Sequence, residues 1–247
     1  MHSALERTDH RPWPMPAGRW IWRQRWLDLL FAHWRVPVAV AQQLVPHDVE
    51  VQEFDGSSWV GLVPFRMEDV MFRGVPEVPW LSQFPEMNLR LYVTYQGRPG
   101  VWFVSLDATN PVAVWGARQF AHLPYFDATM NVQTKGDAIQ YESVRKTAGP
   151  RVAFRASYWP TSPEFEAAPG SIEYFLTERY RLYTIDARKR LVTIDIQHRP
   201  WPLQRAAADI HENTVADVQG LAVSGPPLLL FSRRLDVVGW AVERLTG

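Results

Sequence analysis

Turn signals recur along this chain roughly every eight to twelve residues, and the stretches between them alternate apolar with polar side chains. Such spacing suits short antiparallel strands and leaves little room for long helices or parallel crossovers. Residues 49–54 alternate, Asp55-Gly56 is a hairpin signal, and residues 58–67 follow as the partner. Residues 87–95 and 101–106 flank a turn at 96–100. Residues 130–134 and 138–145 flank Lys135-Gly136-Asp137, and residues 181–185 and 191–196 flank the turn at 186–190. Residues 151–159 and 228–231 read as further strands. Helices are few and short: residues 38–44, a segment opened by Pro111 and running to about Phe120, and a start at 169–174. Residues 73–85 carry Gly74, Pro76, Pro79 and Pro85 and read as a loop. The expected class is α+β, mainly antiparallel β, with a few short helices.

One stretch supports two readings. Trp20, Trp22 and Trp26 share one side at period two, as in a strand, while Trp26, Leu29, Leu30 and His33 follow helical spacing. Before it, residues 1–18 contain Pro12, Pro14 and Pro16 and read as an extended arm. Residues 19–247 read as a single domain.

Composition narrows the function classes. The chain has 26 basic and 26 acidic side chains and no net charge. Its basic clusters, Arg188-Lys189-Arg190 and Arg233-Arg234, are too short to track a phosphate backbone, so no nucleic-acid partner is expected. There is no cysteine, which excludes thiolate chemistry, disulfides and cysteine-bound metal. The seven histidines show no pair at metal-ligand spacing, so neither a metal nor a cofactor is expected. The sequence contains no G-x-S-x-G, G-x-G-x-x-G, P-loop or H-E-x-x-H pattern. No apolar run has the length of a membrane span, and residues 1–12 lack the apolar core of a signal peptide. A cytoplasmic protein without a membrane partner is the expectation; a homo-oligomer stays open.

Residues 84–90 (Phe-Pro-Glu-Met-Asn-Leu-Arg), Gly97, Gly100-Val101-Trp102-Phe103, Ala117-Arg118-Gln119-Phe120 and Leu123-Pro124-Tyr125-Phe126 together resemble the YqjF-like family. Phe31-Ala32-His33-Trp34, Thr177-Glu178-Arg179-Tyr180 and residues 198–203 extend the resemblance over nearly the whole chain. That family resembles the acetoacetate decarboxylase superfamily. The likeness implies a conical antiparallel β-barrel around an apolar pocket, with a strand glutamate, an arginine and a Schiff-base lysine. Carried over by position, Glu86 matches the glutamate and Arg118 the arginine. The lysine positions fall on Tyr125 and Phe126, neither of which forms an iminium. The chain has only three lysines, Lys135, Lys146 and Lys189, each at a predicted turn. A solvated amine stays protonated and is a poor nucleophile, so lysine-dependent decarboxylation is not expected.

The candidate ligand-binding residues are therefore Glu86, Arg118, Tyr125, His33 and Phe126. Glu86 is either a pocket acid/base or an ion-pair partner of Arg90 or Arg118. His33 is either a proton shuttle or a satisfied core histidine. Tyr125 either bonds a ligand or fills space. Glu178 and Arg179 read most simply as a rim pair. Three functions are open: non-covalent binding of a small carboxylate or carbonyl ligand, acid/base catalysis with Glu86 as base and Arg118 as anchor, and a scaffold with a filled barrel.

Overall fold

The computed structural model describes residues 2–75, 82–116, 119 and 121–245. The described strands are β1 (Trp22–Val36), β2 (Glu50–Val51), β3 (Ser58–Phe72), β4 (Phe84–Tyr95), β5 (Arg98–Ala108), β6 (Tyr125–Lys135) and β7 (Ala138–Arg145). They continue with β8 (Ala153–Pro160), β9 (Arg181–Ile185), β10 (Leu191–Gln197), β11 (Gln204–Asn213), β12 (Leu228–Gly239) and β13 (Glu243–Arg244). Three short α-helices are described: α1 (Val38–Gln42), α2 (Pro111–Gly116) and α3 (Ile172–Thr177). None of the described helices is long and apolar enough to cross a membrane.

Nine strands close into a barrel in the order β5-β6-β7-β8-β11-β12-β1-β3-β4, completed by the β4–β5 pairing. We call this the wide ring. A second, narrow ring forms because β9 pairs with β5 and β10 pairs with the end of β12. Both rings share the sheet β12-β1-β3-β4-β5. The neighbours of β5 at β6 and β9 are parallel; the other strand pairings are antiparallel. The expected mainly antiparallel barrel with few helices is thus what the chain forms.

Because side chains alternate across a strand, the shared sheet sends one set into each ring. On β4, Met87, Leu89, Leu91 and Val93 join the apolar cluster of the wide ring with Leu30, Leu62, Tyr141 and Phe154. Burying each such aliphatic side chain stabilises the fold by roughly 1.5–3 kcal/mol. The opposite parity, Glu86, Asn88, Arg90 and Tyr92, enters the narrow ring.

The ambiguous stretch is a strand. Asp28 takes a positive φ of 51° at an irregularity in the β1–β3 register, and this shifts the side-chain parity of β1. Trp26 before it and Leu29 and Phe31 after it therefore meet in one apolar cluster. A strand with one inserted residue produces the three- and four-residue spacing that imitates a helix.

Two expectations need correction. The Asp55-Gly56 turn forms, with Phe54 and Ser57 bridged, but the strand before it shrinks to β2, which pairs with β4 instead of β3. The N-terminal arm is not simply extended. It carries a 3-10 turn at Ser3–Leu5, buries Ala4, and inserts Arg11 against Asp195 and the Ile196 carbonyl.

Candidate functional site

Glu86 faces the narrow ring opposite Phe65 of β3 and Ala108 of β5, and is 2% exposed. The phenol of Tyr125 donates to Glu86 Oε2 at 2.6 Å. Tyr125 reaches it because it opens β6 in parallel register with Leu106, on the side of the sheet that Ala108 shares. From the wide ring, Tyr141 donates to the backbone carbonyl of Glu86 at 2.8 Å and pins β4 from behind. Burial raises the Glu86 carboxyl to about 8; the Tyr125 hydrogen bond opposes this and the nearby Asp107 charge adds to it. Tyr125 itself is held well above the ordinary phenol value by burial and by Glu86. At neutral pH both groups are therefore mainly protonated.

The surroundings are apolar. Phe65, Phe84, Ala108, Val114 and Trp201 form one buried cluster, with Trp26 and Tyr125 packed on it. Trp26 and Trp201 stack, with ring centres 5.5 Å apart. Their two indole N–H groups are buried without a hydrogen-bond partner among the described residues. A buried donor left unpaired costs about 1–3 kcal/mol.

Phe126 points the other way, as the next residue on a strand must. Its ring lies 3.9 Å from the Arg145 guanidinium, in the wide ring. Arg145 pairs there with Asp107 at 2.7 Å and donates to Ser105. The register of β4 on β5 slips between Leu89 and Arg90, leaving Val104 unmatched. That bulge turns Ser105 and Asp107 into the wide ring, where Arg145 neutralises the aspartate.

His33 sits apart from Glu86. It pairs with Gly61, whereas Glu86 pairs with Phe65 four residues further along β3, which is about 13 Å at strand rise. It is completely buried, with Nε2 2.5 Å from the Tyr92 hydroxyl oxygen. Burial, and then Arg90, hold it well below the usual histidine value, so it is neutral. Gly61 makes room for this contact: a Cβ there would lie 2.9 Å from His33 Nε2.

Sequence reasoning missed the groups around Tyr92. Arg90 is not paired with Glu86. Its Nε donates to Tyr92 Oη at 3.1 Å and its Nη2 to the Leu176 carbonyl at 3.0 Å. Glu178 and Arg179 are not a rim pair, because both are buried. Glu178 accepts from the Tyr180 hydroxyl and from the Trp201 N–H. Arg179 donates to the Phe175 carbonyl and to Gln52 Oε1. The signal was present as the alternation Glu86, Asn88, Arg90, Tyr92, but a polar parity on a strand ordinarily faces water.

The three lysines are exposed, Lys189 in a turn with positive φ. Arg118 lies outside the described residues.

A family profile described as "uncharacterized conserved protein", DUF2071, matches residues 23–236. The Bacillus subtilis (strain 168) protein YqjF, described as uncharacterized, is 45% identical over 240 residues, covering 97% of this chain and 98% of that one. Among solved structures, the enduracididine biosynthesis enzyme MppR complexed with pyruvate superposes with a TM-score of 0.66 at 15% identity, covering 96% of this chain and 93% of that one. An acetoacetate decarboxylase from Legionella pneumophila gives 0.62 at 14% identity, covering 100% of this chain and 96% of that one. These likenesses establish an acetoacetate decarboxylase-like fold.

Proposed function

We propose that this chain, which belongs to the DUF2071 family, binds a small carboxylic acid or carbonyl compound non-covalently in its narrow ring, against Glu86 and Tyr125. The observation that carries this reading is a buried carboxyl, protonated at neutral pH, held by a phenol in an apolar cluster. One carboxyl oxygen accepts from Tyr125, which leaves the acid proton free to be donated to a carbonyl or carboxylate oxygen. The unpaired indole N–H groups of Trp26 and Trp201 supply two further donors in the same cluster. Donors that lack acceptors favour a ligand rich in oxygen acceptors. Pyruvate, the compound in the MppR structure, has this character. Arg118 enters as a carboxylate anchor from the sequence alone. With the lysines exposed, no imine step is part of the reading.

Isothermal titration with pyruvate, acetoacetate and acetone tests it. Saturable binding at pH 6 that weakens above pH 8, as Glu86 ionises, is expected. Failure of all three probes, or unchanged binding by Glu86→Ala, would reject the reading. A second reading, acid/base catalysis, is favoured by the Glu86 value of about 8, because a group titrating near neutrality exchanges protons efficiently. Proton NMR of pyruvate in deuterated water checks it: methyl-proton exchange that persists in Glu86→Gln excludes Glu86 as the base.

A further inference from the structure

The narrow ring holds a second polar centre, some four residues along β4 from Glu86. Arg90 and Arg179 are 8% and 7% exposed. Both guanidinium carbons lie within 5.5 Å of the centre of the Tyr92 ring. Arg90 also stacks on Phe31 and Arg179 on Phe175. Every hydrogen-bond partner they have among the described residues is neutral: Tyr92, Gln52, and the carbonyls of Phe175 and Leu176.

Other buried arginines of this chain are treated differently. Arg145 has Asp107, and Arg11 and Arg181 share Asp195. No such carboxylate reaches Arg90 or Arg179 among the described residues. Glu178, next to Arg179 in sequence, is turned toward Tyr180 and Trp201. His33 is neutral and brings no negative charge. Aromatic faces offset part of the charge of a buried cation but supply no counter-charge. Two like charges in one buried neighbourhood repel, and each keeps an unused nitrogen: Arg90 Nη1 and Arg179 Nη2 have no partner among the described residues, and neither is sealed off. Consecutive carbonyls of α3 fix both guanidinium planes, so the unused ends are held in place before any ligand arrives.

We propose that Arg90 and Arg179 bind a small oxyanion, a carboxylate or a tetrahedral phosphate, at this second centre of the narrow ring. This site does not depend on Glu86. Neutralising the pair by a bound oxyanion completes what Asp107 and Asp195 do elsewhere in the fold.

Titration calorimetry of the intact protein with sodium acetate and with sodium phosphate, each against sodium chloride at equal ionic strength, tests the assignment. One-to-one saturable binding of at least one anion is expected, weakened at least tenfold in Arg90→Gln and in Arg179→Gln. Stronger acetate binding identifies a carboxylate ligand, stronger phosphate binding a phosphate-bearing one. Absence of binding by both anions overturns the proposal, as does undiminished binding in both arginine variants. Loss of acetate binding in Glu86→Gln with retention in both arginine variants moves the anion to Glu86 and also overturns it. Should the arginine variants fail to fold, wild-type crystals soaked in sodium bromide decide. An anomalous peak within reach of both guanidiniums supports the site, and its absence rejects it.

Discussion

The two faces of the shared sheet solve the same packing problem in opposite ways. On the wide-ring face Asp107 meets Arg145 through Nε and Nη2, and Ser105 accepts from Nη2 as well. On the narrow-ring face the charges have no such match. Glu86 has a phenol, Arg90 and Arg179 have neutral acceptors and rings, and two indole donors have no partner among the described residues. A matched pair is finished when the chain folds. Unmatched groups lower stability, because desolvation is not balanced by a counter-charge. Among the described residues the wide ring also keeps one unpaired hydroxyl, Ser143 Oγ, but the unmatched charges gather in the narrow ring, which separates the part of the barrel that holds the fold from the part available for a ligand.

The largest test of this contrast is Arg145→Met. It strands Asp107 in the wide ring and should cost about 3–5 kcal/mol in chemical denaturation. The same change at Arg179 removes an uncompensated cation and should cost less than half as much. Equal losses at the two positions would erase the distinction.

Next comes Glu86→Gln. In the wild type the carboxyl titrates at about 8 when folded, against an ordinary 4.5. Between these values the unfolded chain releases a proton that the folded chain keeps, so stability falls as pH rises from about 4.5 to about 8. The amide removes this slope. The variant should match the wild type at pH 4.5 and exceed it by a few kcal/mol at pH 9 in urea denaturation. An unaltered slope would mean that Glu86 ionises without penalty.

Gly61→Ala is expected to cost roughly 1–3 kcal/mol, since the new methyl group must push His33 away from Tyr92. The smallest effect belongs to Tyr125→Phe, at about 1–2 kcal/mol. Its sharper signature is electrostatic. Losing the phenol donor should raise the Glu86 pKa further, as read by carbon-13 NMR of the carboxyl.

The strands were legible where turn chemistry marked both ends. Gln96-Gly97, Lys135-Gly136 and residues 186–190 are tight turns between paired strands. β1 was not, because the parity shift at Asp28 mixes two strand phases into one helix-like pattern. β2 was overestimated because alternation says nothing about which neighbour a strand will pair with. The family likeness put both Glu86 and Tyr125 among the candidates, but their partnership was not legible, since 39 residues separate them. Arg90 and Arg179 were read as an ion-pair partner of Glu86 and as a rim residue, because a polar strand face in a closed ring reads the same as one in water.

The seam of the wide ring has a consequence for how the chain is made. β1 is among the first strands to leave the ribosome, yet it pairs with β12 in the register Trp22 to Gly239, across 217 residues. Until β12 emerges, one edge of β1 stays open, with Leu29, Leu30 and Phe31 unprotected. Ring closure is thus a late event between distant segments, the kind of contact that slows folding and exposes sticky edges meanwhile. Synthesis rate and chaperone supply, more than final stability, should govern how much of this protein a cell recovers in native form.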